Sequence, residues 1–303
     1  MSLFDRIVVA SIPFIPRAVV HRVARRYVAG ETLEDAIAAV RTLAAEGAMA
    51  TLDVLGESVT RPEQTEAARD EYLRVLDAIA ASGLPANTSV KPTAVGLSID
   101  TDLARRNLAA ICRKAAGHGI FVRLDMEDTP YTEKTIRLAL DLKAEFGNVG
   151  TVLQAYLRRS LADIGRLGEA KMNVRICKGI YNEPRGVAFK DPDVIVRNYA
   201  AMVEKHLGAG RYAAIATHDE ACVQSALETI DRLKLPADAY EFQMLLGVDP
   251  LLRRVLISSG HRLRVYVPFG RDWYAYSTRR LRENPSIARH IVNASLGMGP
   301  SGE

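Results

Sequence analysis

From residue 48 onward the chain alternates two patterns. A short run of apolar or β-branched residues meets a polar or glycine break, and a longer stretch follows in which apolar positions recur at helical spacing. The strand-type runs lie at 49–55, 88–95, 120–125, 150–156, 173–178, 212–217, 240–245 and 262–267. The helical patterns that follow them lie at 61–82, 101–117, 131–146, 160–169, 193–207, 220–233, 250–258 and 271–282. Strand–helix units repeated in this order predict an α/β fold, a (β/α)8 TIM barrel. Upstream, 19–28 and 32–45 also repeat apolar positions at helical spacing, and the second stretch opens with a Thr32-x-x-Asp35 box that marks a capped helix start. No linker or low-complexity segment interrupts the alternation. The expected organisation is one catalytic barrel domain, 48–303, behind an N-terminal helical extension, 1–47.

A barrel of this kind does its chemistry at the C-terminal ends of its strands and in the loops that follow. Those positions hold Gly56 and Glu57, Lys91, Asp125, Gln154, Arg175 with Lys178 and Tyr181 beyond it, Thr217 and His218, Gln243, and Tyr266. Charges inside apolar strands are expensive to bury without partners, and here they recur at one end of strand after strand. Arg175, inside NVRICKGIYNE with Lys178 three residues on, points to an anionic or electron-rich ligand. Lys91 could instead be a strand-end charge, and Asp125 could pair with Arg123 or cap the next helix. Asp219 has the look of an N-cap. His218 could ligate a metal only with further histidines at strand ends, and His21, His118, His206, His261 and His290 do not sit there, so no metal is expected.

Near the C-terminus, Tyr276, Arg279, Arg280 and Glu283 fall at i, i+3, i+4 and i+7, so one helix face carries two guanidiniums between a phenol and a carboxylate. Pro285 then stops the helix. Neighbouring arginines suit a small carboxylate or phosphate, because each offers a planar fork of donors that stays charged. A solvated surface helix with Arg–Glu pairs gives the same pattern.

Composition narrows the choice. The 303 residues are 48% hydrophobic and 25% charged, ordinary globular material, and the net charge of +4 comes without a basic stripe interleaved with aromatics. No nucleic-acid partner is expected. Cys112, Cys177 and Cys222 are odd in number and far apart, which argues for a reducing compartment, the cytoplasm by default. The apolar run 7–12 is broken by Pro13 and Pro16 and is too short to span a bilayer. No GxGxxG follows a strand-type run and no Walker loop is present, so the barrel itself must hold any nucleotide cofactor. What remains is a cationic cup with a Lys–Asp pair, several tyrosines and a strand arginine suited to a ring nitrogen. A Schiff-base lyase of aldolase type using Lys91 or Lys178, and a non-catalytic anion-binding barrel, fit the same inventory.

Four motifs in order carry a resemblance to proline dehydrogenase of the monofunctional bacterial type. They are Arg175-x-x-Lys178-Gly179-x-Tyr181-x-Glu183, Ala216-Thr217-His218, Glu241-Phe242-Gln243-Met244-Leu245 and Tyr276-x-x-Arg279-Arg280-x-x-Glu283-Asn284. The similarity runs from about Thr51 to Asn284. It implies a distorted barrel with noncovalent FAD, the last helix lying over the barrel mouth. By matching positions, Arg175 hydrogen-bonds flavin N5 and Gln154 the pyrimidine side, while Met126, Lys178, Gly179, Ile180, Thr217 and His218 line the cofactor. Arg279 and Arg280 clamp the carboxylate of L-proline. Lys91, Asp125, Tyr266, Tyr276 and Glu283 complete the pocket, with Asp125 and Arg175 as the catalytic pair. Glu57 gates the substrate by pairing with Arg279, and the Tyr266 phenol leaves no room for a ring hydroxyl. Ile180 and Asp219 depart from the small residue and the Asn of the family pattern. The resemblance further implies a quinone as electron acceptor and brief contact with a membrane surface, without an integral membrane segment.

Overall fold

The structure is a computed structural model that describes residues 17–56 and 59–283, the side chains of 17–19, 22, 23 and 279–283 excepted. Eight parallel strands close a barrel in sequence order, β1 through β8. They are β1 Met49–Val54, β2 Ala86–Val90, β3 Val122–Leu124, β4 Val149–Gln154, β5 Asn173–Cys177, β6 Ala213–Ala216, β7 Tyr240–Leu245 and β8 Leu263–Phe269. Helices α1 Arg17–Tyr27 and α2 Leu33–Ala45 precede the barrel. The crossover helices are α3 Pro62–Ser82, α4 Thr101–Gly117, α5 Thr129–Phe146, α6 Ser160–Glu169, α7 Pro192–Gly208, α8 Glu220–Arg232 and α9 Pro250–Ser258, and α10 Trp273–Glu283 follows β8. The predicted (β/α)8 fold stands, and so does the capped helix start: the Thr32 hydroxyl accepts from Asp35 N while the Asp35 carboxylate accepts from Thr32 N, both at 3.2 Å.

The largest boundary error is at β2, which was expected over 88–95 and ends at Val90. Pro92 has no amide hydrogen for the ladder, and the chain turns back on itself, with Ala94 N donating to Lys91 O and Leu97 N to Pro92 O. Lys91 is therefore the first residue beyond the strand. The barrel is uneven: β3 pairs over three residues on each side, whereas β1 and β8 pair over six.

Alternate residues of each strand face helices or the barrel axis. On β7, Tyr240, Phe242 and Met244 join the hydrophobic layer beneath the helices. Its inward set begins with Glu241 and Gln243, which bond to Arg264 and Arg175 across the interior. The axis is thus filled with polar and charged groups instead of the aliphatic layers usual for this architecture. Arg123 shows how such a group is accommodated. Its guanidinium donates to Thr151 O, Asn173 O and Asn173 Oδ1 at 2.7–3.0 Å, in space that Gly150 leaves free, since a Cβ there would collide with it.

Among the described residues α1 packs on α10. His21 meets the Trp273 ring edge-on at 4.9 Å, and Trp273 Nε1 donates to Glu31 at 2.8 Å. The backbone of Arg26 passes so close to Gly247, at φ +73, that any side chain there would collide with it. This ties the N-terminal helices to the loop end of the barrel.

At the other end His206 of α7 is buried and donates from Nε2 to Met172 O, just before β5. Burial holds its pKa down to about 4. Above the ordinary value of about 6.5 the ring is neutral in folded and unfolded chains alike, so it adds no pH dependence. Between there and about 4 the unfolded chain binds the proton that the folded one refuses, and stability falls with pH by on the order of 3 kcal/mol. The midpoint of denaturant unfolding is expected to drop between pH 7 and 5, and His206→Gln, which keeps a donor for Met172 O, to flatten that slope. An unaltered slope would remove His206 as its source.

Candidate active site

The strand ends surround a cavity of about 510 Å³. Its wall is built around two buried ion pairs. Arg175 in β5 donates from Nη1 to Asp125 Oδ1 at 2.7 Å, from Nη2 to Ser89 Oγ at 2.9 Å and from Nε to Gln243 Oε1 at 2.5 Å. All three corners of the guanidinium are fixed. Its carbon also lies 5.4 Å from the Tyr266 ring centre, and the Tyr266 hydroxyl donates to Asp125 Oδ2 at 3.1 Å. Asp125 is therefore the partner of Arg175 and Tyr266. The alternatives of pairing with Arg123 or capping a helix do not hold: Arg123 is bonded to β4 and β5, and Asp128 stands at the N-cap of α5.

Lys91 forms the second pair, with Nζ 2.6 Å from Asp53 Oδ2 and 3.5 Å from the Tyr266 hydroxyl. Burial works against the Lys91 ammonium, but the carboxylates of Asp53 and Asp125 outweigh it and hold its pKa above the ordinary lysine value. The Tyr72 hydroxyl donates to the other oxygen of Asp53 at 3.4 Å. Glu127 fixes the turn that carries Lys91, accepting from Thr93 N at 3.0 Å and from Thr93 Oγ1 at 2.5 Å.

The cavity is also lined by Met126, Gln154, Lys178, Gly179, Ile180, Thr217 and His218, the group expected from sequence to meet a cofactor. Gln154 donates to Glu127 O at 3.0 Å, and His218 Nε2 accepts from Leu245 N at 2.9 Å, which places the ring proton on Nδ1. Lys178 pairs with Asp219 at 2.6 Å, and the Lys178 hydrogen bond holds the Asp219 carboxyl below its ordinary value. Asp219 also caps α8 through Ala221 N and Cys222 N. Gly179, at φ +108, lies against the Tyr156 ring so closely that a Cβ would collide with it. Gly179 also lines the cavity, to which it presents backbone alone.

Tyr276 of α10 is buried and lines the cavity beside Tyr266, which brings the last helix over the barrel mouth. Arg279, Arg280 and Glu283 follow in the same helix, but their side chains lie outside the described residues, as do Glu57 and Asn284. Three contributors had been missed as site residues. Asp53 carried the same signal as Lys91, one charge in an apolar strand; Gln243 was noted at a strand end without a role; Ser89 carried no signal, since a strand serine is ordinary.

Fold and cavity define a (β/α)8-barrel enzyme with a buried polar site at its strand ends. A model of the proline dehydrogenase family matches residues 36–292. The chain is 40% identical over 278 residues to a proline dehydrogenase of Deinococcus radiodurans, covering 90% of each chain. It is 37% identical over 273 residues to proline dehydrogenase 1 of Bacillus subtilis strain 168, again covering 90% of each. Among solved structures, proline utilization A (PutA) from Bdellovibrio bacteriovorus, inactivated by N-propargylglycine, superposes with a TM-score of 0.83 at 24% identity. PutA from Corynebacterium freiburgense does so at 0.76 and 20%. The matches cover 92% and 97% of this chain but only 34% and 35% of those, so it spans about a third of their length. The chain belongs to the proline dehydrogenase family. It is an oxidoreductase that acts on proline.

Proposed function

We propose that the chain oxidises L-proline to 1-pyrroline-5-carboxylate with noncovalently held FAD and passes the electrons to a quinone. The observation that supports this best is the three-cornered fixing of Arg175 on the wall of a cavity too large for a five-membered-ring amino acid alone. A second, planar group fits beside the bare Gly179 backbone, with Gln154, Lys178 and His218 as its polar neighbours. When bound, FAD supplies the acceptor for the hydride that leaves C5 of the proline ring.

The residues around it bind and orient. Arg279 and Arg280 of α10, with Lys91, neutralise the substrate carboxylate; Tyr276 and Glu283 close the pocket; Glu57 with Arg279 gates it. Tyr266, its hydroxyl engaged by Asp125, limits the room around the ring. Asp125 offers the substrate amine an acceptor on the same wall, and that amine must lose its proton before hydride can leave. Holding the ring in near-attack geometry is worth several orders of magnitude in rate without any protein nucleophile. A Schiff-base reading is disfavoured, because a nucleophilic lysine needs a lowered pKa whereas Lys91 is held up, and Lys178 is ion-paired.

We further propose that 1–47 is an accessory cover to the catalytic barrel. No helix among the described residues is long and apolar enough to cross a membrane. We place the protein in the cytoplasm, touching the membrane face only to reach its quinone. The test is the visible spectrum of the purified protein before and after anaerobic L-proline. A flavin spectrum that bleaches is the expected result. A colourless protein that FAD cannot reconstitute overturns the proposal.

A further inference from the structure

We propose that Glu241, on the barrel floor, is a positioning residue for proline oxidation, acting through the Gln243 amide to aim Arg175 at the cavity; this rests on the reading of Arg175 as the flavin-facing group. Arg175 and Gln243 are two strands apart. Between them β6 presents Ala214, in register with Arg175, and Ala216, in register with Gln243. Two alanines leave the space through which Arg175 Nε reaches Gln243 Oε1.

An amide can turn either face to a neighbour, and a flipped Gln243 would set NH2 against N–H. Glu241 removes that choice. Its Oε1 accepts from Gln243 Nε2 at 2.5 Å and from Arg264 Nε at 2.9 Å, and its Oε2 accepts from the Tyr212 hydroxyl at 3.1 Å. A guanidinium only donates and an ionised carboxylate only accepts, so the two ends of the relay dictate the amide's orientation. Arg264 is itself held by Ala50 O at 2.8 Å, which ties the carboxylate to β1. Burial opposes ionisation of Glu241, but Arg264 and Gln243 hold its carboxyl below the ordinary range. The relay thus runs from the floor to the Arg175 corner that neither Asp125 nor Ser89 fixes.

Glu241 could serve only as a counter-ion for the buried arginines, and the test separates the two roles. Glu241→Gln removes the obligate acceptor, while Gln243→Leu keeps the Glu241–Arg264 pair and serves where the first variant does not fold. In the full-length protein the Arg175 Nε–H NMR signal, assigned with Arg175→Lys, is expected to exchange slowly in the wild type and to shift and exchange faster in either variant. In the holoenzymes kcat for proline is expected to fall about tenfold with KM within twofold, and the flavin midpoint potential to become more negative as the cation loosens. Folded variants with wild-type kcat and potential overturn the inference, as does a wild-type Arg175 Nε–H that exchanges like a surface arginine. A wild type whose flavin proline does not bleach sinks the proposed function, and the NMR comparison still decides the relay.

Discussion

Asp53→Ala is expected to destabilise the protein by about 3–5 kcal/mol, the range for breaking one side of a buried ion pair. Asp53 is fully buried and its partner Lys91 nearly so. Without the carboxylate, the Lys91 ammonium stays in a wall with little access to water and the Tyr72 hydroxyl loses its acceptor. The loss comes less from the missing attraction than from the charge left behind. Lys91→Met strands Asp53 in the same way. The double variant Asp53→Ala/Lys91→Met leaves no uncompensated charge, so its destabilisation should fall short of the sum of the single effects by about 2 kcal/mol in urea unfolding. Strict additivity would show that the pair is not coupled. Activity should separate from stability: the double variant recovers much of the fold but not the affinity for proline, because the cation proposed to meet the carboxylate is gone.

This pair also shows how much of the site was legible. Strands and helices followed from the alternation of patterns, and with them the end of the barrel at which to search. Lys91, Asp125 and Arg175 stood out because a charge in an apolar strand needs a reason. What spacing does not carry is contact across the axis. Asp125 and Arg175 are 50 residues apart, and the nearer Arg123 was an equally good partner on the sequence alone. The structure decides between them through Gly150, which draws the Arg123 side chain toward β4 and β5. Period-two alternation shows which residues face inward, but the neighbours they meet depend on strand stagger and on small residues such as Ala214 and Ala216. Glu241 and Gln243 were visible as part of a family motif for this reason and remained without a role.

The polar axis has a consequence for catalysis. An aliphatic barrel would offer Arg175 no acceptors, and a buried guanidinium without them would be driven toward solvent. Here acceptors come from β2, from the residue that follows β3 and from β7, so the cation is held in place before any ligand arrives. Preorganisation of this kind avoids reorganisation during the reaction. Arg175, proposed to face the cofactor, thus sits on a strand, whereas Arg279 and Arg280, proposed to hold the substrate carboxylate, sit on α10.

That division predicts opposite kinetic signatures for two arginines. Arg280→Ala is expected to raise KM for proline by about 10–100-fold, the equivalent of one charge-assisted bond of about 1.5–3 kcal/mol, with flavin content unchanged. Position 280 lies one helical turn beyond Tyr276, which lines the cavity. A clamp on the carboxylate acts on bound substrate and transition state alike, so most of the loss belongs in KM. Arg175→Ala should do the reverse, lowering kcat by about 100-fold or more with a smaller change in KM, because a charge in its proposed place matters most as electron density reaches the flavin. Steady-state kinetics on both variants, with flavin occupancy measured in each, reads the contrast directly. A folded, flavin-loaded Arg280→Ala protein with unchanged KM would remove that arginine from the clamp, and a loss confined to KM in Arg175→Ala would move Arg175 from the cofactor to the substrate.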